Sequence, residues 1–173
     1  MEPSELPKAK HTSLGLYVTS DEAYERWQAA PATVKVLDVR TPEEYIFVGH
    51  PPMAVNVPLG FQTYRWDPAK GYFDLELNPD FVALVRQLFE PGDEILAVCR
   101  SGGRSAVAAN LLAKEGFTNV WNIIDGVEGD LVDDPESPHH GKRMRDGWKN
   151  SGAPWTYAVE PEQVLLPEDR RGK

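Results

Sequence analysis

Cysteine is nearly absent from this chain of 173 residues: Cys99 is the only one. A single thiol excludes an internal disulfide framework and fits a reducing compartment. It also supplies no second thiol to resolve an oxidised Cys99, as thiol–disulfide enzymes and many arsenate reductases require. Positive charge is short as well, with 18 Lys and Arg against 27 Asp and Glu, a formal net charge of −9 and a pI near 4.9. Nucleic acid is thereby excluded as the main partner, because phosphate binding needs a basic footprint. An anionic substrate would have to be attracted locally, against the field of the whole molecule. No apolar run approaches the roughly 18 residues of a membrane span. Residues Met1–His11 lack the apolar core of a signal peptide, so a cytoplasmic location is expected. No internal repeat is visible. The remaining composition, 41% hydrophobic and 26% charged, suits one soluble domain with a real core.

What is present is concentrated around Cys99. Ile95 to Val98 is a short apolar run that reads as a buried strand. A loop follows with Cys99, Arg100, Ser101, Gly102, Gly103 and Arg104, and then Ser105 to Glu115, rich in Ala and Leu, reads as a helix closed by Gly116. Strand, glycine-bearing loop and helix in that order gather backbone N–H groups and a helix N-terminus around one point. A thiol at that point is expected to ionise more readily than a free one, and the thiolate is the nucleophile. A lone Cys ending an apolar strand is by itself most often a buried small hydrophobe. Two arginines and a Gly-Gly pair in the same loop argue for chemistry instead.

Along the chain, 1–13 is polar and expected to be flexible, and Leu14–Thr19 is a short strand. Ser20 is the expected cap of a helix with Ala23, Trp27 and Ala30 on one face. Val34–Val39 is a strand. Thr41-Pro42-Glu43-Glu44 carries a capping box and predicts a helix over 42–48. Ala54–Val57 is strand-like. Residues 60–78 are aromatic and irregular; the aromatics are expected to pack against the core, with a lid or an insertion as the alternative. A helix from Asn78-Pro79 presents Phe81, Val82, Leu84, Val85, Leu88 and Phe89. Asn119–Ile124 is a strand ending in an Asp125-Gly126 turn. An acidic, proline-broken loop spans 128–142, a short helix 144–152 and an extended stretch 153–167, with 170–173 a free tail. Strands alternating with helices predict an α/β domain with a mainly parallel central sheet flanked by helices on both faces. Ligands bind such sheets beyond the carboxyl ends of strands, where Cys99 falls.

With these residues in view, the chain resembles the single-domain rhodanese (thiosulfate sulfurtransferase) family. Leu37-Asp38-Val39-Arg40-Thr41-Pro42-Glu43-Glu44-Tyr45 is similar to its D-V-R-x-x-x-E-aromatic segment. Gly49-His50 with Asn56-Val57-Pro58 is similar to the G-H…N-hydrophobic-P stretch. Cys99-Arg100-Ser101-Gly102-Gly103-Arg104-Ser105 matches the C-R-x-G-x-R-S active loop. Asp125-Gly126 and Trp148–Pro154 resemble the turn and ending that follow. The marks stand in the family's order over 14–154, with insertions near 60–78 and 128–142 and an extended C-terminal segment 155–173. Pro51-Pro52-Met53 departs from the usual I-x-G.

The resemblance implies that Cys99 alternates between thiolate and persulfide, taking the outer sulfur of thiosulfate and passing it to cyanide or a thiol. The implied partners are a small anionic sulfur donor and a thiol or cyanide acceptor, with a protein as a possible acceptor. No cofactor and no metal are implied. Arg100 and Arg104 are the candidates to grip the sulfonate, since arginine offers two donors to an oxyanion and keeps its charge. Asp38 and Arg40 are expected to brace the loop. Alternatives remain: persulfide relay between proteins, a non-catalytic binding module, or a cysteine phosphatase or arsenate reductase. Phosphatases of similar fold have a C-x5-R loop, one residue longer than the spacing from Cys99 to Arg104. His139-His140 with Asp133, Asp134 and Glu136 reads as solvated surface rather than a metal site, and His50 as a packing residue. Sequence leaves the oligomeric state open.

Overall fold

A computed structural model describes residues 6–172 of the protein. In chain order the elements are β1 (Tyr17–Val18), α1 (Ser20–Ala29), β2 (Val34–Asp38), β3 (Ala54–Asn56), β4 (Gly60–Asp67), β5 (Tyr72–Leu77), α2 (Phe81–Val85), β6 (Glu94–Val98), α3 (Gly103–Lys114) and β7 (Val120–Ile123). Five strands form one parallel sheet in the order β1-β7-β6-β2-β3. Side chains alternate across it, as the strand period of two requires. Leu37, Ile95, Ala97, Cys99 and Val120 face Phe81 and Leu84 of α2 and Ala108 and Leu112 of α3. Val36, Leu96, Val98 and Ile123 face Ala23 of α1, Tyr45 and Trp148. Helices therefore cover both faces, and β6 lies in the middle with Ile95–Val98 fully buried.

Several expected elements take another form. The cap of α1 is Thr19, which forms a capping box with Glu22. Ser20 is buried because its amide and hydroxyl both donate to Asp125 Oδ1, at 2.8 and 2.9 Å. The Thr41–Glu44 box forms as expected, but Glu44–Val48 beyond it is a wider, π-helical turn. The stretch expected to be irregular, 60–78, is mostly an antiparallel hairpin of β4 and β5 with a register shift between Gln62 and Trp66. Phe61 at its base is buried, whereas Tyr64, Trp66, Tyr72 and Phe73 are exposed. Packing of the aromatics onto the core thus holds for Phe61 only. The short helix expected over 144–152 narrows to one 3-10 turn, Trp148–Asn150, with Trp148 buried.

The chain's two ends are stitched down where they are described. Residues 1–5 of the segment expected to be flexible lie outside the described residues. The rest of it packs on α3: Ser13 N–H donates to Asn110 Oδ1 at 2.7 Å, and Leu6 is buried. Near the C-terminus, Thr156 bridges to His50 and Val164 to Asn56. Arg170, expected in a free tail, pairs with Glu76 at 3.0 Å and lies 4.3 Å over the Phe61 ring. Lys173 lies outside the described residues.

Candidate active site

β6 delivers Cys99 to the carboxyl edge of the sheet with 1% of its surface exposed. Its Sγ accepts the Gly102 N–H at 3.2 Å, and Ser105 Oγ lies 3.3 Å away. Gly102 is the N-cap of α3 at φ +91°, and a Cβ there would strike the Ile124 carbonyl, so conformation and space both demand glycine. The carbonyls of Cys99 and Arg100 are held by the segment after β7. Val127 N–H donates to Cys99 O at 2.8 Å, and Glu128 and Gly129 N–H donate to Arg100 O at 2.9 and 3.3 Å. With those two carbonyls tied back, the Gly102 N–H and the positive end of α3 serve the sulfur.

Beneath the loop sits Asn122, a buried polar residue of β7 that the sequence reading passed over. Its Nδ2 donates to Gly102 O and Lys10 O, both at 3.0 Å. Its Oδ1 accepts from Ser105 Oγ at 2.6 Å. One amide thus joins the N-terminal segment, the start of α3 and the serine beside the nucleophile. A polar side chain at an inward strand position was the only signal available for it.

Charge at the site is arranged in pairs. Asp38, opposite Val98 in the sheet, and Arg40 are fully buried together. Arg40 Nη2 donates to Asp38 Oδ2 at 2.6 Å and to Gly49 O at 2.8 Å, and Asn56 Nδ2 binds the carbonyls of both residues. Glu44 takes Arg104 in a two-pronged pair at 2.6 Å on each prong. Burial works against the charged form of each; the pairing overrides it, holding the Glu44 carboxyl below its ordinary range and the Arg104 guanidinium above. The two loop arginines expected to serve an anion together therefore differ. Arg104 is engaged by Glu44, which the sequence places both in the helix cap and at the Glu of the D-V-R-x-x-x-E-aromatic segment, while Arg100 is exposed and has no carboxylate partner among the described residues.

The histidines stand apart from this chemistry. His50 stacks on Tyr45 with ring centroids 3.6 Å apart, and its backbone bridges to Thr156. His139 and His140 are exposed. Among the described residues no three metal-ligating side chains gather in one place.

Comparison with known proteins follows the same lines. Thiosulfate sulfurtransferase 16, chloroplastic, of Arabidopsis thaliana is 42% identical over 92 residues, which are 53% of this chain and 69% of that protein. Senescence-associated protein DIN1 of Raphanus sativus is 40% identical over 99 residues, 57% of this chain and 49% of that one. The chain thus spans half to about two thirds of the length of these relatives. The crystal structure of Rv0390 from M. tuberculosis has a TM-score of 0.64 at 30% identity, covering 82% of this chain and 96% of that one. Residues 19–130, which hold the sheet from β2 to β7 and the whole Cys99 loop, match the family described as Rhodanese-like domain. To that family the chain belongs.

Proposed function

We propose that the protein is a sulfurtransferase carrying sulfane sulfur as a persulfide on Cys99. The observation that supports this reading best is the cradle itself: a buried sulfur taking the Gly102 N–H at the N-terminus of α3, in a loop whose Cys99 and Arg100 carbonyls are held by residues 127–129. Such a cradle suits an anionic sulfur before and after transfer. The Cys99 thiolate attacks the outer sulfur of the donor, a new S–S bond forms, and the donor's S–S bond breaks with its electron pair leaving on sulfite or a thiolate. Cyanide or an acceptor thiol then attacks the outer sulfur of the persulfide and restores the Cys99 thiolate. Arg100, the exposed cation of the loop, meets the incoming anion. Asp38 and Arg40 act as braces under the loop, since an internally paired, fully buried ion pair has no charge to lend. A relative named thiosulfate sulfurtransferase supports thiosulfate as one donor. No helix among the described residues is long and apolar enough to cross a membrane, and a thiol carrier of this kind suits a reducing compartment.

The test is the mass of the intact protein after exposure to thiosulfate or to cysteine persulfide, beside Cys99→Ser. Expected is a gain of about 32 Da, one sulfur atom, on the wild type alone, removed by cyanide or excess thiol. No gain with either donor would overturn the sulfurtransferase reading and favour a binding module.

A further inference from the structure

One proton beside the nucleophile has two acceptors within reach. Ser105 Oγ, fully buried, lies 2.6 Å from Asn122 Oδ1 and 3.3 Å from Cys99 Sγ, and a serine hydroxyl has a single hydrogen to give. Asn122 stands opposite Ala97 in the register of β6 and β7, on the face of the sheet where Ala97 and Cys99 both pack. Its amide is held one way round. Nδ2 donates to the carbonyls of Lys10 and Gly102, both at 3.0 Å, and a turned amide would set Oδ1 against the two of them. Oδ1 therefore faces Ser105 as an acceptor, and at 2.6 Å it takes the hydroxyl hydrogen. Ser105 turns lone pairs, not a hydrogen, toward the sulfur. The Gly102 N–H, at 3.2 Å, is left as the hydrogen bond that Sγ accepts.

Resting on the sulfur-transfer reading above, we propose that Asn122 is a positioning residue: by keeping the Ser105 proton off Sγ it makes Cys99 quick to take up sulfur and slow to release it. In loading, the Cys99 thiolate attacks the outer sulfur of the donor and a bond to Sγ forms. The electron pair of the donor's S–S bond leaves on sulfite or a thiolate. Negative charge thus departs from Sγ, and the loaded persulfide carries it on the outer sulfur. In unloading, an acceptor thiolate attacks that outer sulfur, and the electron pair of the Sγ–S bond returns to Sγ. A second hydrogen bond to Sγ would be stronger at the thiolate than at the persulfide, so it would retard loading and assist release. Asn122 holds the hydrogen that would make that bond.

The experiment follows Cys99 by intact mass as it loads from cysteine persulfide and, after the donor is removed, unloads to cysteine. Wild type, Asn122→Leu, Ser105→Ala and the double variant are compared. Asn122→Leu keeps the bulk but offers Ser105 no acceptor, so its hydroxyl turns to the sulfur. The ratio of loading to unloading rates should fall about tenfold, the effect of one charge-assisted hydrogen bond, with loading slower and unloading faster. Adding Ser105→Ala removes the misdirected hydrogen and should return the ratio toward that of the wild type. A loosened structure would slow both reactions and would not be rescued in this way. An unchanged ratio, a slowing of both rates or a double variant without rescue overturns the role of Asn122 and leaves sulfur transfer standing. If Asn122→Leu does not fold by circular dichroism, Ser105→Ala alone decides. It should hold its sulfur no longer than the wild type; longer retention would show that the hydroxyl already donates to Sγ and would overturn the proposal. Failure of the wild type to load from cysteine persulfide or thiosulfate strikes instead at the sulfur-transfer reading.

Discussion

Gly126 and Gly15 have nearly the same backbone conformation, at φ +66° and +65°, in very different surroundings. A Cβ on Gly126 would stand 2.5 Å from Arg100 C and Ser101 N, in the backbone of the nucleophile loop, whereas one on Gly15 meets nothing within 4 Å. Gly15→Ala is therefore expected to cost only the left-handed strain, about 1 kcal/mol. Gly126→Ala adds a backbone clash and should cost at least about 3 kcal/mol, with slower sulfur loading of Cys99. Urea midpoints of the two variants check this; equal losses would show that the loop accommodates the methyl group. At this scale the sequence was most readable where a single residue carries its own constraint. Cys99, its glycines and the Thr41–Glu44 cap are local features, and they stand where the local pattern put them. The partner of Arg104 was not readable, because Glu44 is 60 positions away and had a sufficient local role already. Asn122 hid for the same reason, since its bonds run to residues 10, 102 and 105.

Elements differ in how much of the fold depends on them. Phe81 of α2 is 2% exposed in the core that also holds Cys99, while Tyr64 of the hairpin is 92% exposed. Phe81→Ala is expected to cost about 3–5 kcal/mol through the cavity it leaves. Tyr64→Ser should stay within about 0.5 kcal/mol. Equilibrium denaturation separates the two, and a comparable loss for Tyr64→Ser would mean that the hairpin is integral to the domain. The central strands were legible because strands buried on both faces are written as unbroken apolar runs. β4 and β5 were not, because the register shift between Gln62 and Trp66 breaks the alternation that announces a hairpin, and exposed aromatics imitate a core. The turn at Glu44–Val48 shared a helix's start signal, so only its cap, not its wider winding, was written locally.

For the whole molecule, burial sets the pH response. Burial lowers the pKa of His50 from 6.5, so the unfolded chain takes up its proton first as the solution is acidified. Stability is then complete above about pH 6.5 and falls below it. A second decline begins below about pH 4.5, where the unfolded chain regains the proton that Arg104 keeps off Glu44. Asp125, whose carboxyl burial raises above 3.8, moderates that second decline. Urea midpoints across pH 8 to 5 should fall for the wild type and flatten in His50→Gln; parallel curves would remove His50 from this account. The strand order has a consequence in time. Chain growth runs from the N-terminus, yet among the described residues β1 has only β7 as a neighbour, and the carbonyls of Cys99 and Arg100 are held by residues 127–129. A nascent chain that has just exposed its thiol therefore has no ordered cradle around it. Contacts this distant in sequence form slowly, so during synthesis the reactive sulfur stays unorganised until about thirty more residues have emerged and closed the loop from behind.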